Sequence, residues 1–156
     1  MRGREIMKTG RDLIIFDLDG TLALDAHRVP FLRQTPKDWA SYFDLCHLDT
    51  PNSALVSTYR ALLADGHFVE IWTGRAGEYW EKTEFWIKTH LGPVPDRLRM
   101  RPIGERLDDN ELKRRWLHET RSVGDQVVLV FEDRRRVVEM WREEGVLCAQ
   151  VAEGNF

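Results

Sequence analysis

Asp12-Leu13-Ile14-Ile15-Phe16 is an apolar run without alternation, and it stops abruptly at Asp17-Leu18-Asp19-Gly20-Thr21. Such a run reads as a short strand buried on both faces, of the kind parallel sheets place at their centre. A helical stripe follows at Ala54, Leu55, Tyr59, Leu62 and Leu63, with Thr50-Pro51 as its expected cap and first turn and Gly66 as its stop. His67 to Trp72 is a second strand, ending at Thr73-Gly74-Arg75, and a helix runs from about Gly77 to His90. Arg97 to Arg101 reads as an edge-type strand whose alternate arginines project the same way. A helix over Asp109 to Arg121, a strand from Val127 to Phe131 ending at Glu132-Asp133, a helix over Arg134 to Glu144 and a strand from Val146 to Val151 complete the pattern. Strands alternate with helices throughout. The expectation is an α/β, Rossmann-like doubly wound parallel sheet of about five strands with right-handed crossovers.

Two stretches fall outside this alternation. Residues 1–11 are polar, basic and aperiodic, and read as an N-terminal tail; residues 12–156 read as one domain. Residues 22–49 are irregular, with Pro30, Pro36 and the aromatics Phe31, Trp39, Tyr42 and Phe43. They are too apolar for a disordered linker, and ordered loops of that length are often lids or binding elements. The expectation is a small cap segment and no large cap domain.

Composition narrows the class. At 156 residues, 42% hydrophobic and 31% charged, the chain can bury one real core. A net charge of −3 argues against a nucleic-acid binder relying on bulk charge, though local basic patches remain compatible with it. No apolar run approaches a membrane span, and the amino terminus lacks a signal-peptide core. Cys46 and Cys148, the 2 cysteines, form no metal-ligand pair and read as reduced thiols in a cytoplasmic protein. No Gly-x-x-x-x-Gly-Lys-Ser/Thr loop is present, which argues against an attached kinase of that type.

Three predicted strands end in polar chemistry at one edge: Asp17/Asp19, Thr73-Gly74-Arg75 and Glu132-Asp133. Open α/β sheets bind ligands at the carboxyl ends of their strands. Carboxylates concentrated there suit a hard divalent cation such as Mg²⁺. Lys113, on a predicted helix, supplies a candidate cation. Singly, each has an ordinary explanation: a turn, a solvated lysine, a helix N-cap.

In this order the motifs resemble the four signatures of the haloacid dehalogenase (HAD) superfamily of phosphatases. The resemblance implies that Asp17 is a nucleophile forming a phospho-aspartate, and that Asp19 is a general acid and base. Thr73 would hydrogen-bond the transferring phosphoryl group, and Lys113 would neutralise charge in the transition state. Asp17, Asp19, Glu132 and Asp133 would form the Mg²⁺ site. More closely, the chain resembles the 3′-phosphatase domains of the bacteriophage polynucleotide kinase/phosphatase type. That likeness rests on Asp17-Leu18-Asp19-Gly20-Thr21-Leu22-Ala23, Thr73-Gly74-Arg75, Met100-Arg101, Gly104-Glu105-Arg106, Asp109 four residues before Lys113, and Glu132 through Phe156. Glu132 stands where that family usually has a first aspartate.

The resemblance further implies that Gly74, Arg75, Arg28 and Asp109 serve the phosphate site. Arg75 would hold phosphate or position Asp109, and Asp109 would orient Lys113. The substrate implied is a nucleic-acid 3′-phosphate end or a nucleotide, with a separate kinase or ligase as partner. Two other readings stay open: a small-molecule nucleotidase, and a non-catalytic phosphatase-like partner. The second has no need for the costly cluster Asp17, Asp19 and Lys113.

Overall fold

The computed structural model describes residues 10–154. Strand β1 (Asp12–Phe16) lies at the middle of a five-stranded sheet with β4 (Phe68–Ala76), β5 (Arg97–Arg101), β6 (Gln126–Arg134) and β7 (Cys148–Gly154), in the order β5-β4-β1-β6-β7. All four pairings are parallel. Alternation along β1 splits its apolar run between two cores. Leu13 and Ile15 pack with Trp72 beneath α4 (Asp109–Ser122) and α5 (Arg135–Glu143), where Leu112, Trp116, Val137 and Trp141 close the layer. Ile14 and Phe16 face the other way, to Val56 and Tyr59 of α2 (Ser53–Ala64) and Trp86 and Ile87 of α3 (Trp80–His90). Each fully buried side chain of this kind contributes about 1.5–3 kcal/mol. A one-residue slip of β1 would exchange its two faces, so the packing pins the register and with it the position of Asp17. The α/β fold and the doubly wound order follow the sequence reading.

Several boundaries differ from it. Thr50-Pro51 does not open a helix. It is the two-residue strand β3 (Thr50–Pro51), antiparallel to β2 (Ala23–Leu24), and α2 begins after Asn52. Proline lacks the N–H a central ladder needs, but a short edge pairing tolerates it. The strand predicted to end at Trp72 continues through Thr73-Gly74-Arg75, with an irregularity in its pairing to β5 between Thr73 and Ala76. Likewise β6 runs through Glu132-Asp133 to Arg134, and β7 extends to Gly154. Polar residues at a strand's carboxyl end still use their backbone in the ladder, which side-chain polarity does not reveal. Gly66 does end α2, at φ +86°, the left-handed conformation that favours glycine.

Residues 1–9 of the predicted tail lie outside the described residues. Arg11, placed in that tail, is fixed: its backbone N–H donates to Asp125 Oδ1 at 2.8 Å and its guanidinium to Oδ2 at 2.7 Å. Residues 22–49 hold β2, two 3-10 turns and the short helix α1 (Trp39–Asp44), a small cap and not a separate cap domain. Among the described residues, no helix is long and apolar enough to cross a membrane.

Candidate active site

The carboxyl ends of β1, β4 and β6 converge as the sheet order requires, since β1 lies between the other two. Asp17 follows β1 directly, its N–H donating to the Phe131 carbonyl at 2.9 Å and so continuing the β1–β6 ladder. Asp17, Glu132 and Asp133 are buried, and one oxygen from each lies within 4.8 Å of the others. Lys113, reaching in from α4, is also buried, and donates to Asp17 Oδ1 at 2.6 Å and to Glu132 Oε2 at 2.8 Å. The Thr21 hydroxyl lies 3.4 Å from Asp17 Oδ2 and 3.5 Å from Asp133 Oδ1, and can donate to one of them at a time. Gly20 makes this closeness possible. At φ +79° it takes a left-handed turn, and a Cβ there would sit 2.3 Å from Asp133 Oδ2.

The electrostatics are unbalanced. Burial first, then the neighbouring Glu132, push Asp17 well above the usual carboxylate range, against the pull of Lys113. Burial, then Asp17 and Glu132, push Asp133 up to about 9. Burial opposes the charge on Lys113, but Asp109, Asp17 and Glu132 outweigh it and hold its pKa well above the ordinary lysine value. Were Asp17, Glu132 and Asp133 all ionised, their negative charge would exceed what the Lys113 ammonium offsets in this desolvated pocket. A hard divalent cation with oxygen ligands is the group that such a donor set fits.

Asp19 does not join that group. Its carboxylate turns to Arg28 and to Arg75, whose Nε donates at 2.9 Å. Burial alone would raise its pKa, but the Arg75 and Arg28 charges outweigh it and hold Asp19 below the usual range. The Asp19 side chain thus stands apart from the carboxylate trio and pairs with two guanidiniums. A buried acid absent from the sequence reading, Asp49, closes the arrangement. It accepts from Arg28 Nε at 2.7 Å and Nη2 at 2.6 Å, and from Arg75 Nη2 at 3.0 Å. Both arginine side chains are fully buried. Arg75 also donates to Thr83 at 3.2 Å and does not reach Asp109.

Asp109 keeps the expected relation to Lys113, 3.6 Å away one helical turn on, and has Arg101 and Arg134 each at 3.8 Å. Those two arginines occupy the place foreseen for Arg75. Gly74 belongs to this side of the site: a Cβ on it would lie 2.5 Å from Asp109 Oδ1. Thr73 is buried and accepts from the Arg75 N–H at 3.2 Å. Asp49 carried no sequence signal beyond standing before Thr50-Pro51, which read as a helix start. Arg101 and Arg134 stood within quoted motifs, without an assigned role.

The site opens into a cavity of about 410 Å³, lined by Asp17, Asp19, Glu132 and Asp133 on the sheet side, and by Trp39, Tyr42, Phe43, Arg101 and Arg106 among others.

A family model described as the polynucleotide kinase PNKP phosphatase domain matches residues 11–156. A chain in the solved Pnkp1/Rnl/Hen1 complex superposes with a TM-score of 0.79 at 29% identity, covering 95% of this chain and 48% of its own length. A chain of the Pnkp1/Rnl/Hen1 RNA repair complex gives 0.79 at 27%, over 99% of this chain and 48% of that one. This chain thus spans about half the length of those relatives. The class C acid phosphatase from Bacillus anthracis, with tungstate bound, shares the fold, with a TM-score of 0.56 at 16% identity over 80% of this chain and 52% of that one. With its family model covering all but the first ten residues and its sheet matching HAD-like phosphatases, the chain belongs to the family of polynucleotide kinase PNKP phosphatase domains.

Proposed function

We propose that this domain is a Mg²⁺-dependent phosphomonoesterase that removes the 3′-phosphate from polynucleotide ends through an aspartyl-phosphate. The observation that carries the reading is Asp17 itself, a buried carboxylate held between Lys113 and the acids Glu132 and Asp133 at the floor of an open cavity. Asp17, Glu132 and Asp133 would hold the metal, which supplies charge neutralisation for an anionic ester that otherwise repels a carboxylate nucleophile.

An Asp17 oxygen forms the new bond to phosphorus as the bond to the leaving 3′-oxygen breaks. Asp19 protonates that oxygen, then takes a proton from the water that attacks the phospho-aspartate and releases phosphate. Arg28 and Arg75 orient the Asp19 carboxylate, and an incoming phosphate dianion opposes their field and raises its proton affinity. Lys113 stabilises charge on the phosphoryl oxygens in flight, with Asp109 fixing its direction. Thr73 and the Gly74 backbone form the adjoining wall of the phosphoryl site.

The small cap favours a polymer end over a free metabolite, because an open cleft lets a strand leave in one direction. The likeness to a chain of an RNA repair complex supports the same substrate class, and also a separate ligase or kinase as working partner. The test is kcat/KM for a 3′-phosphorylated oligonucleotide, its 5′-phosphorylated counterpart and the 3′-mononucleotide, each with and without Mg²⁺. The expected order puts the 3′-phosphorylated oligonucleotide first, with activity lost on chelation. A clear preference for the mononucleotide would identify a nucleotidase instead.

A further inference from the structure

Helix α1 carries Trp39, Tyr42 and Phe43 on one face, at the spacing of a single helical turn. Tyr42 is the anchor. Its hydroxyl donates to Asp25 Oδ2 at 2.5 Å, its carbonyl accepts from Arg28 Nη1 at 3.2 Å, and the Arg28 guanidinium lies 4.0 Å from its ring centroid. The same guanidinium binds Asp19, so α1 is tied directly to the catalytic clamp. Trp39 is left 38% exposed, in the cavity that holds Asp17 and Asp19. Its ring stacks on Phe43, with centroids 5.8 Å apart and planes at 23°, and Phe43 leans in turn on Tyr79 at 5.4 Å. Lys37 Nζ stands 5.7 Å from the indole centroid.

The contacts of Trp39 with Phe43 and Lys37 have no part in the phosphoryl-transfer steps given above. A flat indole held by packing and partly open to the cleft costs little entropy to use as a stacking surface, and every nucleobase has a π-face to place on it. A neighbouring ammonium suits the phosphodiester that accompanies a base in a polymer. We propose that Trp39, backed by Phe43, is the binding subsite for the base of the terminal 3′-phosphorylated nucleotide. This inference rests on the reading of the domain as a polynucleotide 3′-phosphatase.

The test compares an oligonucleotide ending in a 3′-phosphorylated nucleotide with the same oligonucleotide ending in a 3′-phosphorylated abasic residue. Glycerol 2-phosphate serves as a substrate without base or polymer. In the wild-type chain with Mg²⁺, kcat/KM should favour the base-bearing end by roughly 5- to 150-fold, the range of one base–aromatic stack. Trp39→Ala should bring that ratio close to one, and Trp39→Phe should restore most of it. Equal rates on the two ends in the wild type overturn the subsite while leaving the 3′-phosphatase reading intact, and this arm depends on no variant. A preference that persists in Trp39→Ala overturns it too. Hydrolysis of glycerol 2-phosphate with neither 3′-end accepted removes the polynucleotide reading and the subsite together.

Discussion

Arg28 and Asp49 form a bidentate ion pair with no solvent exposure on either side chain, Nε to Oδ1 at 2.7 Å and Nη2 to Oδ2 at 2.6 Å. Both come from the cap, Arg28 from its early part and Asp49 from its last residue, just before β3. Through Arg28, and through Arg75 on the other side, the pair fixes the direction of Asp19. Two buried arginines between the buried Asp49 and the partly exposed Asp19 neutralise each other, so the arrangement depends on every member.

Asp49→Ala should therefore cost stability and rate together. Leaving two buried guanidiniums with one acid fewer is expected to cost about 3–5 kcal/mol in unfolding free energy. Where the variant stays folded, kcat should fall at least tenfold with KM little changed, because Asp49 acts on Asp19 and not on substrate. Chemical unfolding and steady-state kinetics on the 3′-phosphorylated oligonucleotide measure the two effects. An unchanged kcat would mean that Asp19 does not need this support.

Asp17→Asn should abolish turnover, since a neutral amide cannot attack phosphorus. It also removes one of three crowded carboxylates, so the metal-free protein should gain on the order of 1 kcal/mol, or about 2–4 °C in Tm. Melting in chelator, with product release assayed in parallel, checks both signs. Full activity in the purified variant would rule out the covalent mechanism.

Lys113→Ala is expected to lower kcat far more than it raises KM, because its charge matters most during transfer. It also strips Asp17 and Glu132 of their shared cation, at about 3–5 kcal/mol when no metal is bound. A raised KM with kcat intact would move Lys113 from catalysis to binding.

The raised carboxyl pKa values set the pH dependence of the metal-free protein. Asp133 sits near 9 when folded and near the ordinary value of 3.8 when unfolded. Between these limits the folded state binds more protons at Asp133, so this group's contribution to stability is greatest below about 4 and declines as pH rises toward 9. Asp17 acts in the same direction. Asp19, held low, acts oppositely, and its contribution is lost only as pH falls below its unfolded value of 3.8. In chelator, Tm should thus fall between pH 5 and 9. Saturating Mg²⁺ should raise Tm and flatten the slope, since bound metal favours the ionised carboxylates. An identical pH profile with and without Mg²⁺ would argue against a metal among these three acids.

The sequence by itself determined the sheet and the polar residues at its edge. An unbroken apolar run such as Leu13 to Phe16 has no solvent-facing side, so it must lie between two layers, and the acids just beyond it must lie where the strand leaves the core. The same reasoning placed Thr73 and Glu132-Asp133 at that edge, while Lys113, on a predicted helix, was joined to them by the order of motifs that resembles the HAD superfamily. The tertiary structure decided which partner each charge takes. Asp19 is two residues from Asp17, yet the side chains at its end of the cleft turn it toward arginines and away from the acidic trio. Asp49 enters from a segment whose local pattern suggested only a helix start. Arg101 and Arg134, and not Arg75, flank Asp109 because the pairing of β4 with β5 and the extension of β6 bring them there. Hydrophobic periodicity is a property of consecutive residues and can be read along the chain. The choice among ion-pair partners depends on distances between segments far apart in it, and those exist only after the layers have packed.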